Sequence, residues 1–257
     1  MLRRENTEFG QIAWRMFRED GAGTPLIFLH GAGGRKEIWG LVCRRMERAA
    51  VDHPLVLVDL PGHGQSPLPG RADIEEYATA VSALITAQGW PAVALAGHSM
   101  GGAISQVLAA REPSRVTHLF LVATGARIPV APILLDLLPD QHEAVTTLFK
   151  EWGFGPDAPA LLVNQAMTPF AQGDPVVIRD DLAACRDWNG ADRLASITAK
   201  TLVVAGELDR MIQSKYTTFL AENIGDAQLV TLPQTGHMVP VERDRELAER
   251  FASFLAE

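Results

Sequence analysis

Ser99 stands in Gly97-His98-Ser99-Met100-Gly101, between glycines two positions away on either side, after the small apolar run AVALAG and before a helix-period segment. G-x-S-x-G in a strand–turn–helix context is the spacing of a nucleophile elbow, a strained turn at which a Cβ on either flanking residue would clash. The helix that follows aims free N–H groups and the positive end of its dipole at any anion formed beside the serine. The competing reading is an ordinary hydroxyl in a Gly-rich turn. A serine hydroxyl is a weak nucleophile near neutral pH and needs a base that a third group orients. Two later loops carry the required types: TLVVAGELDRM holds Glu207 and Asp209, and TLPQTGHMVP holds His237. Asp209 is favoured over Glu207 because it lies farther along the loop, toward the histidine. The loop after the preceding strand, ATGARIP, offers no carboxylate.

FLHGAGG at 28–34 is a second Gly-rich turn after a strand. As a dinucleotide fingerprint it fails, because Lys36 stands where the last glycine should be, and no Walker lysine-serine follows. As an oxyanion loop it fits: its glycines let the backbone approach a substrate oxygen, with the N–H of Ala32 pairing with the N–H of Met100. His30 reads as a prop for this loop. VDLPGHGQSP at 58–67 sets Asp59 near His63, and two glycines beside them favour turn chemistry, with the Asp side chain bonding its own backbone. Trp39, Trp152, Trp188, Met100 and Met211 are candidates for pocket surface or plain core.

The elements that must position these groups follow an α/β rhythm. Near-continuous apolar runs at 25–30, 54–60, 92–97, 117–123, 201–206 and 227–232 read as strands of a mostly parallel sheet covered on both faces. The alternating IAWRMF at 12–17 reads as an antiparallel edge. Helices are expected near 37–49, 73–88, 100–111, 213–223 and 242–256, the last amphipathic through Leu247, Phe251, Phe254 and Leu255. Between 127 and 189 the rhythm stops, and three helices broken by Pro and Gly are expected, an inserted cap. The expected organisation is one domain, with residues 1–126 and 190–257 as core and 127–189 as cap.

The 257 residues carry a net charge of −8 and 47% hydrophobic residues, enough for a large core and repulsive to nucleic acid. No apolar run is long enough to span a membrane, and the first residues lack the apolar stretch of a secretory signal. Cys43 and Cys185 are far apart without metal-ligand spacing, which reads as two free thiols in a reducing cytoplasm. No metal or organic cofactor is expected. The expected partner is a small-molecule ester, with the protein a monomer or homodimer.

LHGAGG, DLPGHGQS, GHSMGG, GELD and TGHMVPVE, in this order, resemble the α/β-hydrolase superfamily over essentially the full length, most closely its small bacterial members with a helical cap. The chain order Ser99, Asp209, His237 is the one this superfamily uses. The resemblance implies Ser99, Asp209 and His237 as a catalytic triad and the N–H groups of Ala32 and Met100 as the oxyanion hole. The implied activity is ester hydrolysis through an acyl-enzyme, on a small to medium apolar substrate. Dehalogenases and epoxide hydrolases of the fold use an aspartate where Ser99 stands. Carbon–carbon bond hydrolases and enol-lactonases keep the serine and are the alternatives, although HGAGGR departs from the usual H-G-G-G-P-G of the former. A ligand-binding receptor without turnover is the alternative of another class.

Overall fold

Leu26–Leu29 and Leu55–Val58 contain no polar side chain, and every residue in both is buried. Such runs suit strands with helices on both faces, and the computed structural model, which describes residues Leu2–Glu257, has that arrangement. The first half of the chain gives β1 (Leu2–Thr7), β2 (Gly10–Phe17), β3 (Leu26–Leu29), α1 (Gly40–Arg48), β4 (Leu55–Val58), α2 (Ile74–Ala87), β5 (Val93–His98), α3 (Met100–Arg111) and β6 (Val116–Val122). Next come α4 (Pro132–Leu137), α5 (His142–Gly153), α6 (Ala160–Ala171) and α7 (Pro175–Asp187) without an intervening strand. The chain then returns to β7 (Lys200–Gly206), α8 (Ser214–Asn223), β8 (Ala227–Leu232), α9 (Val239–Glu242) and α10 (Asp244–Leu255).

The strands form one sheet in the order β1-β2-β4-β3-β5-β6-β7-β8. β2 runs antiparallel to both β1 and β4, and β3 to β8 are parallel. Alternate residues of β3 serve opposite faces. Ile27 and Leu29 join a core with α2, α3 and α8, while Leu26 and Phe28 join one with α1 and α10. On the second face Phe120 packs against Phe251 with ring centroids 4.2 Å apart and the rings tilted by 37°. A third apolar cluster, including Leu134, Val145, Phe170, Ile178 and Leu182, holds α4–α7 together.

The order β4-β3-β5 makes β3 the point where the winding reverses, and a crevice outside the carboxyl ends of such strands is where ligands bind in open α/β sheets. The loop after β3 and the turn after β5 therefore meet at this crevice. Three expectations need correction. The edge strand is β1, not the strand at 12–17: LRRENT is polar and lacks a strand's apolar alternation, but its six residues pair with β2 through a turn at Gly10, where φ is +109°. The segment 127–189 forms four helices, since Leu138, placed before Pro139, is extended and separates α4 from α5. The last expected helix, 242–256, is α10, and a short additional helix, α9, precedes it across Arg243.

Candidate active site

Ser99 caps α3 with φ +53° and ψ −117°, a conformation that L-residues rarely adopt. A Cβ on Gly97 would overlap the Gly101 carbonyl, and one on Gly101 would overlap the Leu29 carbonyl and meet the His30 carbonyl oxygen at 2.7 Å. Glycine at both positions is thus what allows α3 to start so close to β3 and β5. The Ser99 N–H donates to Val122 O at 3.0 Å, and its carbonyl accepts from the Thr124 hydroxyl at 2.8 Å, which fixes the turn from the β6 side.

Asp209 is buried in the loop after β7, and its Oδ1 accepts the N–H groups of Met211 at 2.8 Å and Ile212 at 2.7 Å. That leaves Oδ2 for His237 Nδ1, 2.9 Å away. Glu207 is exposed and accepts instead from the Gln234 N–H at 2.9 Å. The His237 loop is held by Glu242, whose carboxyl accepts from Gly236 N at 3.1 Å and Gly155 N at 2.8 Å, and by Met238 N donating to Gly153 O at 2.9 Å. Burial, opposed by those backbone bonds, pushes the Glu242 pKa up.

His98 adds a second hold: its Nε2–H donates to the His237 carbonyl at 3.0 Å, with the two rings 4.8 Å apart. Burial first, then the neighbouring His237, depress the His98 pKa to about 3, so its ring is neutral. Its Nδ1, buried, has no hydrogen-bond partner among the described residues.

The loop after β3 closes through Gly34 N donating to Gly31 O at 3.0 Å, with Gly33 at φ +63°. Among the described residues, the N–H groups of Ala32 and Met100 donate to no protein acceptor. His30 Nδ1 donates to Gly31 O at 2.8 Å, and its Nε2 accepts the Leu60 N–H at 3.0 Å. Burial, then the nearby His63, lower its pKa to about 4, consistent with a neutral prop.

Ser99, His237, Ala32 and His98 line one cavity of about 250 Å³, otherwise walled mainly by apolar residues such as Leu134, Phe149, Leu162, Phe170 and Leu182. Arg35, Glu37 and Gln165 add polar groups to its lining. Met211 is on the wall as well, while Trp39 and Trp188 are core, their indole N–H groups donating to Leu29 O and Gly125 O. Within this cavity the Ser99 hydroxyl and His237 have no direct hydrogen bond, an arrangement common before substrate tightens the site.

Beside the cavity lies a polar cluster that the sequence only half revealed. Asp59 does bond its own turn through Gln65 N at 3.0 Å, but it also accepts from Lys36 N at 2.9 Å and pairs with Lys36 Nζ at 2.6 Å. His63 does not turn to Asp59. Its Nε2 lies 2.8 Å from Asp181 Oδ2 on α7, and its Nδ1 lies 3.0 Å from Pro61 O. Both atoms are acceptors, so both ring nitrogens carry protons. Burial alone would lower the His63 pKa, but the charge and hydrogen bond of Asp181, with Pro61 O and Asp59, outweigh it and raise the value. The Tyr77 hydroxyl donates to Asp181 Oδ1 at 2.6 Å, and burial and that carboxylate raise its pKa. Asp181 has a sequence signal, a carboxylate on the stripe Ile178, Leu182, Cys185 that α7 otherwise buries.

The sequence profile described as "Alpha/beta hydrolase family" matches residues 26–250, the strands β3 to β8 and the inserted helices together. The chain belongs to this family. With a serine, Ser99, at the elbow where other members of the fold carry an aspartate, it is a serine hydrolase. It is 28% identical to Lipase 1 of Psychrobacter immobilis over 93% of its own length and 80% of the lipase. It is 25% identical to a 2-hydroxymuconate semialdehyde hydrolase of Pseudomonas putida, covering 93% and 89%. In fold it matches the enol-lactonase of Burkholderia xenovorans LB400 with a TM-score of 0.92 over 99% of this chain and 100% of the other, at 20% identity, a likeness of fold alone. No helix among the described residues is long and apolar enough to cross a membrane.

Proposed function

We propose that this α/β-hydrolase is a carboxylic ester hydrolase acting through an acyl-enzyme on Ser99. The observation that carries the reading is one apolar cavity lined by a serine on a strained elbow, a His237–Asp209 pair 2.9 Å apart and two N–H groups without protein acceptors. Ser99 Oγ attacks the ester carbonyl while His237 Nε2 takes its proton, and Asp209 holds the imidazole with its other proton on Nδ1 and stabilises the imidazolium. The oxygen of the tetrahedral intermediate receives hydrogen bonds from Ala32 and Met100 N–H. His237 returns the proton to the departing alkoxide, and water then attacks the acyl-enzyme by the same route, releasing the acid and restoring Ser99.

The similarity to a lipase supports ester chemistry. The cavity, at about 250 Å³, is below the roughly 300–1,000 Å³ typical of drug-sized ligands, and its apolar walls favour a short to medium acyl chain. In this reading residues 127–189 act as a cap over the cavity. A reducing cytoplasm is the compartment it favours, since Cys43 and Cys185 are buried as free thiols in separate cores.

The test is hydrolysis of p-nitrophenyl esters from acetate to decanoate by the wild type and Ser99→Ala. Turnover lost on substitution, with a maximum short of decanoate, supports the reading. Equal inertness of both proteins refutes it for esters. 2-Hydroxymuconate semialdehyde, the substrate named for one relative, then becomes the compound to assay for carbon–carbon bond hydrolysis, with a ligand-binding role behind it.

A further inference from the structure

A type II-like turn at Gly31–Gly34 presents the proposed oxyanion donor, with Gly34 N bonded to Gly31 O at 3.0 Å and Gly33 at φ +63°. Turns of this kind have a common weakness: the central peptide, here the one joining Ala32 to Gly33, can flip and exchange its N–H for its C=O. In this protein the Gly33 N–H donates to Asp181 Oδ2 at 2.9 Å. A flip would bring the Ala32 carbonyl against a carboxylate, so only one orientation of this peptide is stable; the oxyanion N–H of Ala32 belongs to the adjoining Gly31–Ala32 peptide, which the turn anchored in this way holds in place.

The acceptor does not come from the loop's own layer. Asp181 belongs to α7, in the helical segment inserted between β6 and β7, and it is fully buried. Its Oδ2 also receives His63 Nε2–H at 2.8 Å and its Oδ1 receives the Tyr77 hydroxyl at 2.6 Å. Two core elements therefore aim the carboxylate, and the carboxylate aims the loop. A buried charge of this kind is costly unless every acceptor position is satisfied, which argues that its place beside Gly33 serves more than packing. Ile178, one turn earlier on α7, supports the same peptide: a Cβ on Gly33 would meet its Cγ1 at 3.1 Å.

We propose that Asp181 is a positioning residue for the reaction, supplied by the cap, which acts through the Gly33 N–H to hold the Ala32 N–H toward the substrate oxyanion, with His63 and Tyr77 setting its carboxylate. This rests on the serine-esterase reading and adds that α7 is part of the oxyanion machinery, so the cap cannot lift away from the loop during turnover. Asp181 touches no reacting atom, and its effect falls on the transition state and not on substrate binding.

The experiment compares wild type, Asp181→Ala and Asp181→Asn with a p-nitrophenyl ester and with a trifluoromethyl ketone of matching chain length, whose hemiketal oxygen occupies the oxyanion site. A weakened oxyanion donor costs up to about 10²–10³ in kcat, and an indirect one is expected to cost about tenfold to 10². Asp181→Ala should lose that factor in kcat with KM within about threefold, and its ketone Ki should rise by the same factor as kcat falls. A merely structural loss would lower the titre of active sites and leave Ki unchanged. Asp181→Asn keeps the volume and one acceptor oxygen. It should lower kcat and raise Ki, as Asp181→Ala does, each by about threefold or more, and carries the test if Asp181→Ala does not fold. Values of kcat and Ki within twofold of wild type in the folded variants overturn the proposal alone. A wild type that neither turns over the ester nor binds the ketone overturns the esterase reading and this proposal with it.

Discussion

Replacing Asp209 with asparagine changes one atom and should disable the base. Asp209 Oδ1 accepts two backbone N–H groups, from Met211 at 2.8 Å and Ile212 at 2.7 Å. An asparagine oxygen satisfies both only from that position, which places its NH₂ where Oδ2 now meets His237 Nδ1 at 2.9 Å. Nδ1 must then be the unprotonated nitrogen, and the proton moves to Nε2, which can no longer accept one from Ser99. The inverted amide would restore the correct tautomer but would turn NH₂ toward two N–H donors. Leaving both unsatisfied costs about 1–3 kcal/mol each, or ~2–6 kcal/mol together, so the competent form is rarer by about 30-fold to 3 × 10⁴-fold. The assay is kcat for p-nitrophenyl butyrate with a thermal melt alongside. The expected result is a loss of about 30-fold to 10⁴-fold in kcat with Tm within a few degrees of wild type, because volume and the backbone bonds are kept. A folded Asp209→Asn with kcat within tenfold of wild type would refute the tautomer argument.

Other perturbations test neighbouring parts of the account. Lys36→Met leaves the fully buried Asp59 without its ammonium partner, and should lower unfolding free energy by about 3–5 kcal/mol; an unchanged denaturation midpoint contradicts this. His63 has a raised pKa and faces Asp181, Asp59, Tyr77 and the neutral His30. Its ion pair should stabilise the protein fully below the unfolded histidine value of about 6.5 and lose effect as pH rises through the higher folded value. Melts of wild type and His63→Gln from pH 5.5 to 9 should therefore converge with rising pH, and a widening gap would show the ring to be neutral. Gly101→Ala sets a Cβ against the backbone of Leu29 and His30 and should cut activity more than about tenfold or prevent folding. Gly40→Ala, in α1 with nothing within 4 Å of the added carbon, should leave activity unchanged and gain up to about 1 kcal/mol; equal behaviour of the two variants would contradict the close-approach argument.

Local patterns carried most of the fold. Strands such as LIFL and LVLV have no polar residue to compete for another assignment, and the elbow needs its glycines within five consecutive residues. Ser99, Asp209 and His237 were readable because each follows a strand in a sheet whose parallel strands all end at one edge. What local patterns could not supply was contact across long stretches of chain. Asp181 meets His63 over 118 positions and Gly33 over 148, and only its anomalous place on the buried stripe of α7 hints at a partner. β1 was unreadable for a different reason: LRRENT is a polar edge strand whose pairing comes from the hairpin turn, not from burial.

The central claim is that Ser99 forms the covalent intermediate, and the most direct measurement is the mass of the protein after reaction with a fluorophosphonate probe, followed by peptide mapping. Catalysis through Ser99 requires one adduct per chain, on Ser99, absent in Ser99→Ala and formed more slowly in Asp209→Asn. An adduct on another residue, or undiminished ester turnover by Ser99→Ala, would contradict it.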